Sequence, residues 1–262
     1  MGIVNVTPDS FSDGGKAYNL NDAVDLAMKL EAEGADIIDI GGESTRPGSA
    51  SVSMVEELRR VLPVIEALQG RLRIPISIDT CKAMVARRAL EAGVHIINDI
   101  SAGSFDEEMP ATVTEFKTGV ILMHMQGTPR TMQKNPSYDN LIEDVRRFLI
   151  EAVYRFENAG LSQDYILVDP GIGFGKNLQH NLELIRRCGE FQNIASGVLV
   201  GTSRKSFLGM LTNNTVENRL ESTIASVVCA AIFGADVVRV HDVRAVKDAL
   251  KVADAVKDIY SV

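Results

Sequence analysis

A chain of 262 residues, 45% of them hydrophobic, can bury a large core, and barrel folds of this size are routinely one domain. A net charge of -8 with no basic block argues against nucleic acid as the main partner, and no run of about 20 apolar residues marks a membrane span. The opening Met1-Gly2-Ile3-Val4-Asn5-Val6 lacks the character of a secretory signal, and Cys81, Cys188 and Cys229 fit neither a disulfide framework nor a zinc site, so a cytoplasmic protein with buried free thiols is expected.

Short β-branched runs alternate with longer amphipathic ones along the chain. The first strand is read at 2–6, followed by the loop NVTPDSFSDGG (5–15) and a helix over 22–33. The second, 36–40, runs into GGESTRPG (41–48) and a helix over 55–69; the third, 74–78, delivers Asp79-Thr80 before a helix over 83–91. The fourth, 95–100, carries Asn98-Asp99, and the fifth, 120–124, ends in His124 ahead of a helix over 141–158. The sixth, 165–169, opens DPGIGFGK (169–176); the seventh, 198–200, opens GTSRKSF (201–207), with a helix over 220–233 beyond it. The eighth, 236–240, runs into RVHD (239–242) and a helix over 243–259. Gly34, Gly93, Gly160 and Gly234 close helices and lead into the next strand, as helix C-caps do. Eight such units predict a closed (β/α)8 TIM barrel over 1–262 as a single domain, with an open doubly wound sheet as the alternative.

In such a barrel the active site is built from the loops after the strands, and here those loops hold the unusual chemistry. Asp79, Asn98 and Asp169 come from strands three, four and six and converge on the barrel mouth. A buried carboxylate prefers two parallel N–H donors, so Asp169 suits the amino and ring N–H edge of a flat heterocycle. Asn5, Arg239 and His241, from adjacent strands one and eight, form a second, cationic flank suited to a phosphate, although His241 alone also reads as a core or capping histidine. Asp99 and Thr80 taken singly read as helix caps, and His124 as structural. GIGFG has neither the Walker pattern nor dinucleotide spacing; it reads as a turn that positions Phe174 over the mouth. GTSRKSF places Arg204, Lys205 and three hydroxyls at a strand end, an arrangement that suits an anion, the more so if Ser206 opens a helix.

Together NVTPDSFSDGG, GGESTRPG, DPGIGFGK, GTSRKSF and RVHD, in this order, resemble the dihydropteroate synthases of the pterin-binding barrel family. The resemblance implies condensation of 6-hydroxymethyl-7,8-dihydropterin pyrophosphate with p-aminobenzoate, releasing pyrophosphate and forming 7,8-dihydropteroate in folate biosynthesis. It implies that Asp79, Asn98, Asp169 and Lys205 hold the pterin, that Asn5, Arg239 and His241 hold the pyrophosphate, and that Asn5 is a ligand to Mg2+. Phe11, Thr45, Arg46, Pro47, Phe174, Lys205 and Ser206 would frame p-aminobenzoate. Asp13 and Asp79 would place negative charge beside a ring that becomes cationic as pyrophosphate leaves, which gives Asp13, Asp79 and Lys205 catalytic roles in a dissociative substitution. Sulfonamides are implied as competitive inhibitors, and a homodimer through helices on the C-terminal side of the barrel, for which the apolar run 224–233 reads equally as an interface or as core. The family usually begins with a short segment ahead of the first strand, where this chain starts, so either the sequence is trimmed there or the barrel floor is more open. A methyltetrahydrofolate-corrinoid methyltransferase and a catalytically silent pterin-binding barrel are the alternatives. SRKSF and RVHD speak against the first, and the presence of Lys205, Arg239 and His241 against the second.

Overall fold

The structure, a computed structural model, describes residues 1–7, 20–46 and 48–258. Its strands are β1 (Gly2–Asn5), β2 (Ile38–Gly41), β3 (Ile76–Asp79), β4 (Ile96–Asp99), β5 (Gly119–Met123), β6 (Ile166–Asp169), β7 (Gly197–Val200) and β8 (Val237–Val238). They pair in parallel, in chain order from β1 to β8. Past β8 the chain returns to β1: Gly2 and Val240 form a parallel bridge, the Ile3 amide donates to the Val240 carbonyl at 3.0 Å, and the Val240 amide donates to the Met1 carbonyl at 2.9 Å. The sheet is therefore a closed barrel, and the open-sheet alternative falls.

The helices are α1 (Leu20–Ala32), α2 (Met54–Leu68), α3 (Ala83–Glu91), α4 (Met109–Phe116), α5 (Leu141–Asn158), α6 (Leu178–Arg186), α7 (Ser206–Thr212), α8 (Leu220–Ile232) and α9 (Val243–Asp258). Helices α3 and α5 coincide with the spans expected from periodicity. α4 and α6 were not among those spans. Local chemistry starts α6 instead: Asn177 Oδ1 accepts from the His180 amide at 2.9 Å, a side-chain N-cap. Gly34 and Gly93, after α1 and α3, have φ of 97° and 98°, the left-handed turn that lets a helix reverse into the next strand.

Side chains alternate between the two faces of a strand. One set, including Val4, Ile38, Ile78, Ile97, Leu122 and Val168, packs outward against the helices in the main core. Burying one such side chain contributes roughly 1.5–3 kcal/mol, and this layer holds the helices to the barrel. The other set faces the barrel axis. Ile37, Ile96, Ile121, Leu167, Leu199 and Val237 form an apolar plug there. Towards the strand C-termini the inward positions turn polar. Asn5, Gly41, Asp79 and Asn98 are register partners across β1 to β4, which puts their side chains at one level. Asp39 and Ser77, also register partners, lie one layer below.

Candidate active site

The inward row at the mouth is joined by charge. The Arg239 guanidinium donates from Nε to Asp39 Oδ2 at 2.6 Å and from Nη2 to Asp79 Oδ2 at 2.9 Å. Asn98 Nδ2 donates to the same Asp39 oxygen at 3.0 Å. Asp39 is fully buried and Asp79 nearly so. Burial pushes Asp79 up to about 7 in spite of Arg239, whose single charge is already matched by Asp39, and the Asp39 charge pushes Asp79 further in the same direction. For Arg239, burial works against the charge, but the two carboxylates prevail and raise its pKa. Gly41 keeps a gap in the row: a Cβ there would stand 3.5 Å from Asp79 Cβ and 3.7 Å from Asn5 Oδ1.

Across the mouth, Asp169 Oδ1 accepts the Gly171 amide at 2.7 Å. Burial raises Asp169 to about 6, against the pull of that amide and of Lys205 and Lys176. Burial also brings Lys205 down to about 8, with Asp169 opposing. Its ammonium sits 3.9 Å above the centroid of the buried Phe174 ring, a cation–π contact. The turn GIGFG does carry Phe174 to the mouth, and Lys205 lies against it.

Beside this group, Ser203 holds His241: its Oγ is 2.9 Å from Nδ1 and accepts the His241 amide at 3.2 Å. Burial, with Arg204 and Arg239 nearby, lowers His241 to about 3, so the ring is neutral. The cationic flank expected from sequence is thus corrected in its electrostatics. Strand parity turns Arg239 inward, where two carboxylates compete for it, and His241 carries no charge of its own. Arg204, with φ of 58°, turns outward and pairs with Asp242 at 2.7 Å. Lys205 follows it, and exposed Ser206 opens α7.

On the second loop Thr45 is half-buried and Arg46 exposed, and the Gly48 amide reaches across to the Pro129 carbonyl at 3.1 Å. Phe11, Asp13 and Pro47 lie outside the described residues. Two buried charges at the site had no counterpart among the expected residues. Asp39 carries a legible signal, since an aspartate inside an apolar, buried strand must find a partner. Lys176 has none: its ammonium is 2.7 Å from His124 Nδ1 and 3.1 Å from the His124 carbonyl, and burial lowers its pKa. His124 is buried against Phe148, as its structural reading expects.

A (β/α)8 barrel whose mouth sets carboxylates and an amide beside an aromatic ring and a lysine defines an enzyme class that receives a flat, N–H-edged heterocycle. Residues 1–241 match the family described as pterin binding enzyme, and the chain belongs to that family. Dihydropteroate synthase of Escherichia coli (strain K12) is 50% identical over 257 residues, 97% of this chain and 90% of that protein. Among solved structures, the Yersinia pestis dihydropteroate synthase with a sulfonamide drug matches with a TM-score of 0.93 at 45% identity, covering 98% of this chain and 93% of that one. The Xanthomonas albilineans dihydropteroate synthase in complex with 7,8-dihydropteroate matches at 0.87 and 41%, covering 98% and 92%.

Proposed function

We propose that this chain catalyses the dihydropteroate synthase reaction, joining 6-hydroxymethyl-7,8-dihydropterin pyrophosphate to p-aminobenzoate with release of pyrophosphate. The observation that carries the reading is the set of inward groups at one mouth, Asp79, Asn98, Asp169, Lys205 and Phe174, in a chain half identical to a named dihydropteroate synthase. Asp169 and Asn98 take the N–H edge of the pterin. The exocyclic C–O bond breaks with its electron pair leaving on pyrophosphate; the amine lone pair of p-aminobenzoate closes on the methylene, and the amine then loses a proton. Asp79 and Asp13 favour the cationic ring, while Thr45, Arg46, Pro47, Phe11, Phe174 and Ser206 frame the second substrate. With Ser203 donating to Nδ1, the Nε2–H of neutral His241 remains to donate to a phosphate oxygen beside Asn5 and Arg239.

Mg2+ fits this reading. Asn5 offers one hard oxygen at the gap left by Gly41, and among the described residues no group of three or more His, Cys, Asp or Glu gathers as a metal site. That donor set suits an ion held mainly by phosphate oxygens and water. When bound, it neutralises charge on the departing pyrophosphate.

The assembly we read is a homodimer through α7, α8 and α9, which expose Met210, Leu211, Ile232, Val252 and Val256, with exposed Phe233 just past α8. The location we read is cytoplasmic; among the described residues no helix is long and apolar enough to cross a membrane. The test of function is pyrophosphate release with each substrate omitted in turn. Release only with both present is expected. Absence of release with both, or equal release without p-aminobenzoate, overturns the reading. A dissociative course is expected as well, and a large carbon isotope effect at the methylene would contradict it.

A further inference from the structure

Lys82 lies outside the barrel mouth, yet its surroundings are built around its charge. It follows β3 and caps α3, with its own amide donating to Thr80 Oγ1 at 3.3 Å and the next amide, of Ala83, donating to Asp106 Oδ2 at 2.8 Å. Its ammonium binds two carboxylates at once. One is Glu57 of α2, fully buried, at 2.5 Å; the other is Glu43, in the loop after β2. Burial works against the Lys82 charge, and the two carboxylates more than reverse that.

Glu43 in turn closes its own loop. Its Oε1 accepts the Val52 amide at 3.3 Å, so one side chain joins the two ends of the segment 43–52. The preceding Gly42 is held from the other side, where Arg60 Nη1 donates to its carbonyl at 2.9 Å. Gly42 also has no room to move towards α2, since a Cβ there would stand 2.7 Å from Val61 Cγ1 and 3.1 Å from Glu57 Cγ. Within the loop Ser49 donates to the Ser44 carbonyl, and the tip crosses to Pro129 through Gly48. The segment bearing Thr45 and Arg46 is thus a closed arch with its foot on Lys82. That foot stands three residues beyond Asp79, on the same connection.

We propose that Lys82, seated on the buried Glu57, is a positioning residue: by gripping Glu43 it sets the foot of the 43–52 arch and so holds Thr45 and Arg46 over the second substrate. The role rests on the functional reading above for the identity of that substrate. A buried ion pair adds little net stability against an apolar packing of the same shape, whereas it fixes the relative placement of the elements it joins. Three elements meet at this one ammonium, the β2 loop, α2 and the β3 loop.

The test compares Lys82→Met and Lys82→Arg in the full chain. Lys82→Met should raise the KM for p-aminobenzoate about tenfold, as loss of a charge-assisted hydrogen bond network does, while leaving the calorimetric Kd for dihydropterin pyrophosphate within about twofold. Hydrogen exchange at the Val52 amide should quicken, and Lys82→Arg should restore most of both effects. If Lys82→Met lowers the melting temperature but leaves the KM and Val52 exchange unchanged, or weakens both substrates equally, the proposal is overturned. Should Lys82→Met not fold, Glu43→Gln leaves the Lys82–Glu57 pair in place and should raise the KM about threefold with faster Val52 exchange; no change in either overturns the proposal. Wild-type protein that releases no pyrophosphate would sink the functional reading alone, because Val52 exchange in the variants still decides whether Lys82 holds the arch.

Discussion

Arg239 and Asp39 are 200 residues apart in the chain and meet inside the barrel, Nε to Oδ2 at 2.6 Å. Asp39→Asn keeps the size of the side chain and removes the charge that balances Arg239 there. Loss of one partner of a buried pair typically costs about 3–5 kcal/mol; the lower end is expected, because Asp79 still faces the guanidinium. Urea denaturation checks this. With the Asp39 repulsion gone, Asp79 should also titrate lower, which a carboxyl NMR titration reads directly. An unchanged stability would mean that Asp79 alone suffices.

Burial lifts Asp79 from 3.8 to about 7 and Asp169 from 3.8 to about 6. Since both pKa values are higher folded than unfolded, the folded protein holds protons that the unfolded chain has released between these limits. Their contribution to stability is therefore full below 3.8 and is lost as pH rises through about 6 and 7. A pterin N–H edge on Asp169 favours the carboxylate, so binding at pH 6 should expel protons, and affinity should fall as the pH drops further. Calorimetry in two buffers of different ionisation enthalpy measures the release. An enthalpy independent of buffer would show that Asp169 is ionised before the ligand arrives.

Ser206 and Lys205 are neighbours with different surroundings, one exposed at the start of α7 and the other lying over Phe174. Ser206→Ala should raise the KM for p-aminobenzoate about tenfold, the effect of losing roughly 1.5 kcal/mol of charge-assisted hydrogen bond, and leave pterin binding almost unchanged. Lys205→Ala should weaken both substrates. Loss of pterin pyrophosphate binding in Ser206→Ala, with an unaltered KM, would assign this anion site to the other substrate.

Gly171 has φ of 73°, and a Cβ there would fall 1.9 Å from the His124 carbonyl oxygen and 3.0 Å from Lys176 Nζ. Backbone strain and a backbone clash combine, so Gly171→Ala should cost at least about 3 kcal/mol and displace the turn that carries Phe174. Thermal denaturation and the Kd for dihydropterin pyrophosphate should both register it. A stable variant with normal affinity would mean the 171–176 turn can shift without disturbing the mouth.

The Yersinia pestis relative is a complex with a sulfonamide drug. An aniline bearing an acidic polar group should compete for the surface framed by Thr45, Arg46 and Ser206. Steady-state kinetics should show inhibition relieved by raising p-aminobenzoate. Inhibition that p-aminobenzoate leaves untouched would move the sulfonamide elsewhere.

The sequence by itself determined the eight strands, six of the helices packed around them, the glycine caps between them and the ring of polar strand ends, because period, capping and alternation are local properties. Alternation even assigns Asn5, Asp79, Asn98, Asp169 and Arg239 to the inward face. What it left undecided is which of these groups answer one another. Arg239 belongs to Asp39 and Asp79 only once β8 has closed onto β1, and the neutral His241 and the lowered pKa of Lys205 follow from burial that the whole barrel creates. Lys82 on Glu57 and Glu43, and Lys176 against His124, join elements far apart in the chain by single side chains, with no spacing or motif to announce them. Such charges take their partners from tertiary distance and desolvation, and neither quantity is carried by any short stretch of sequence.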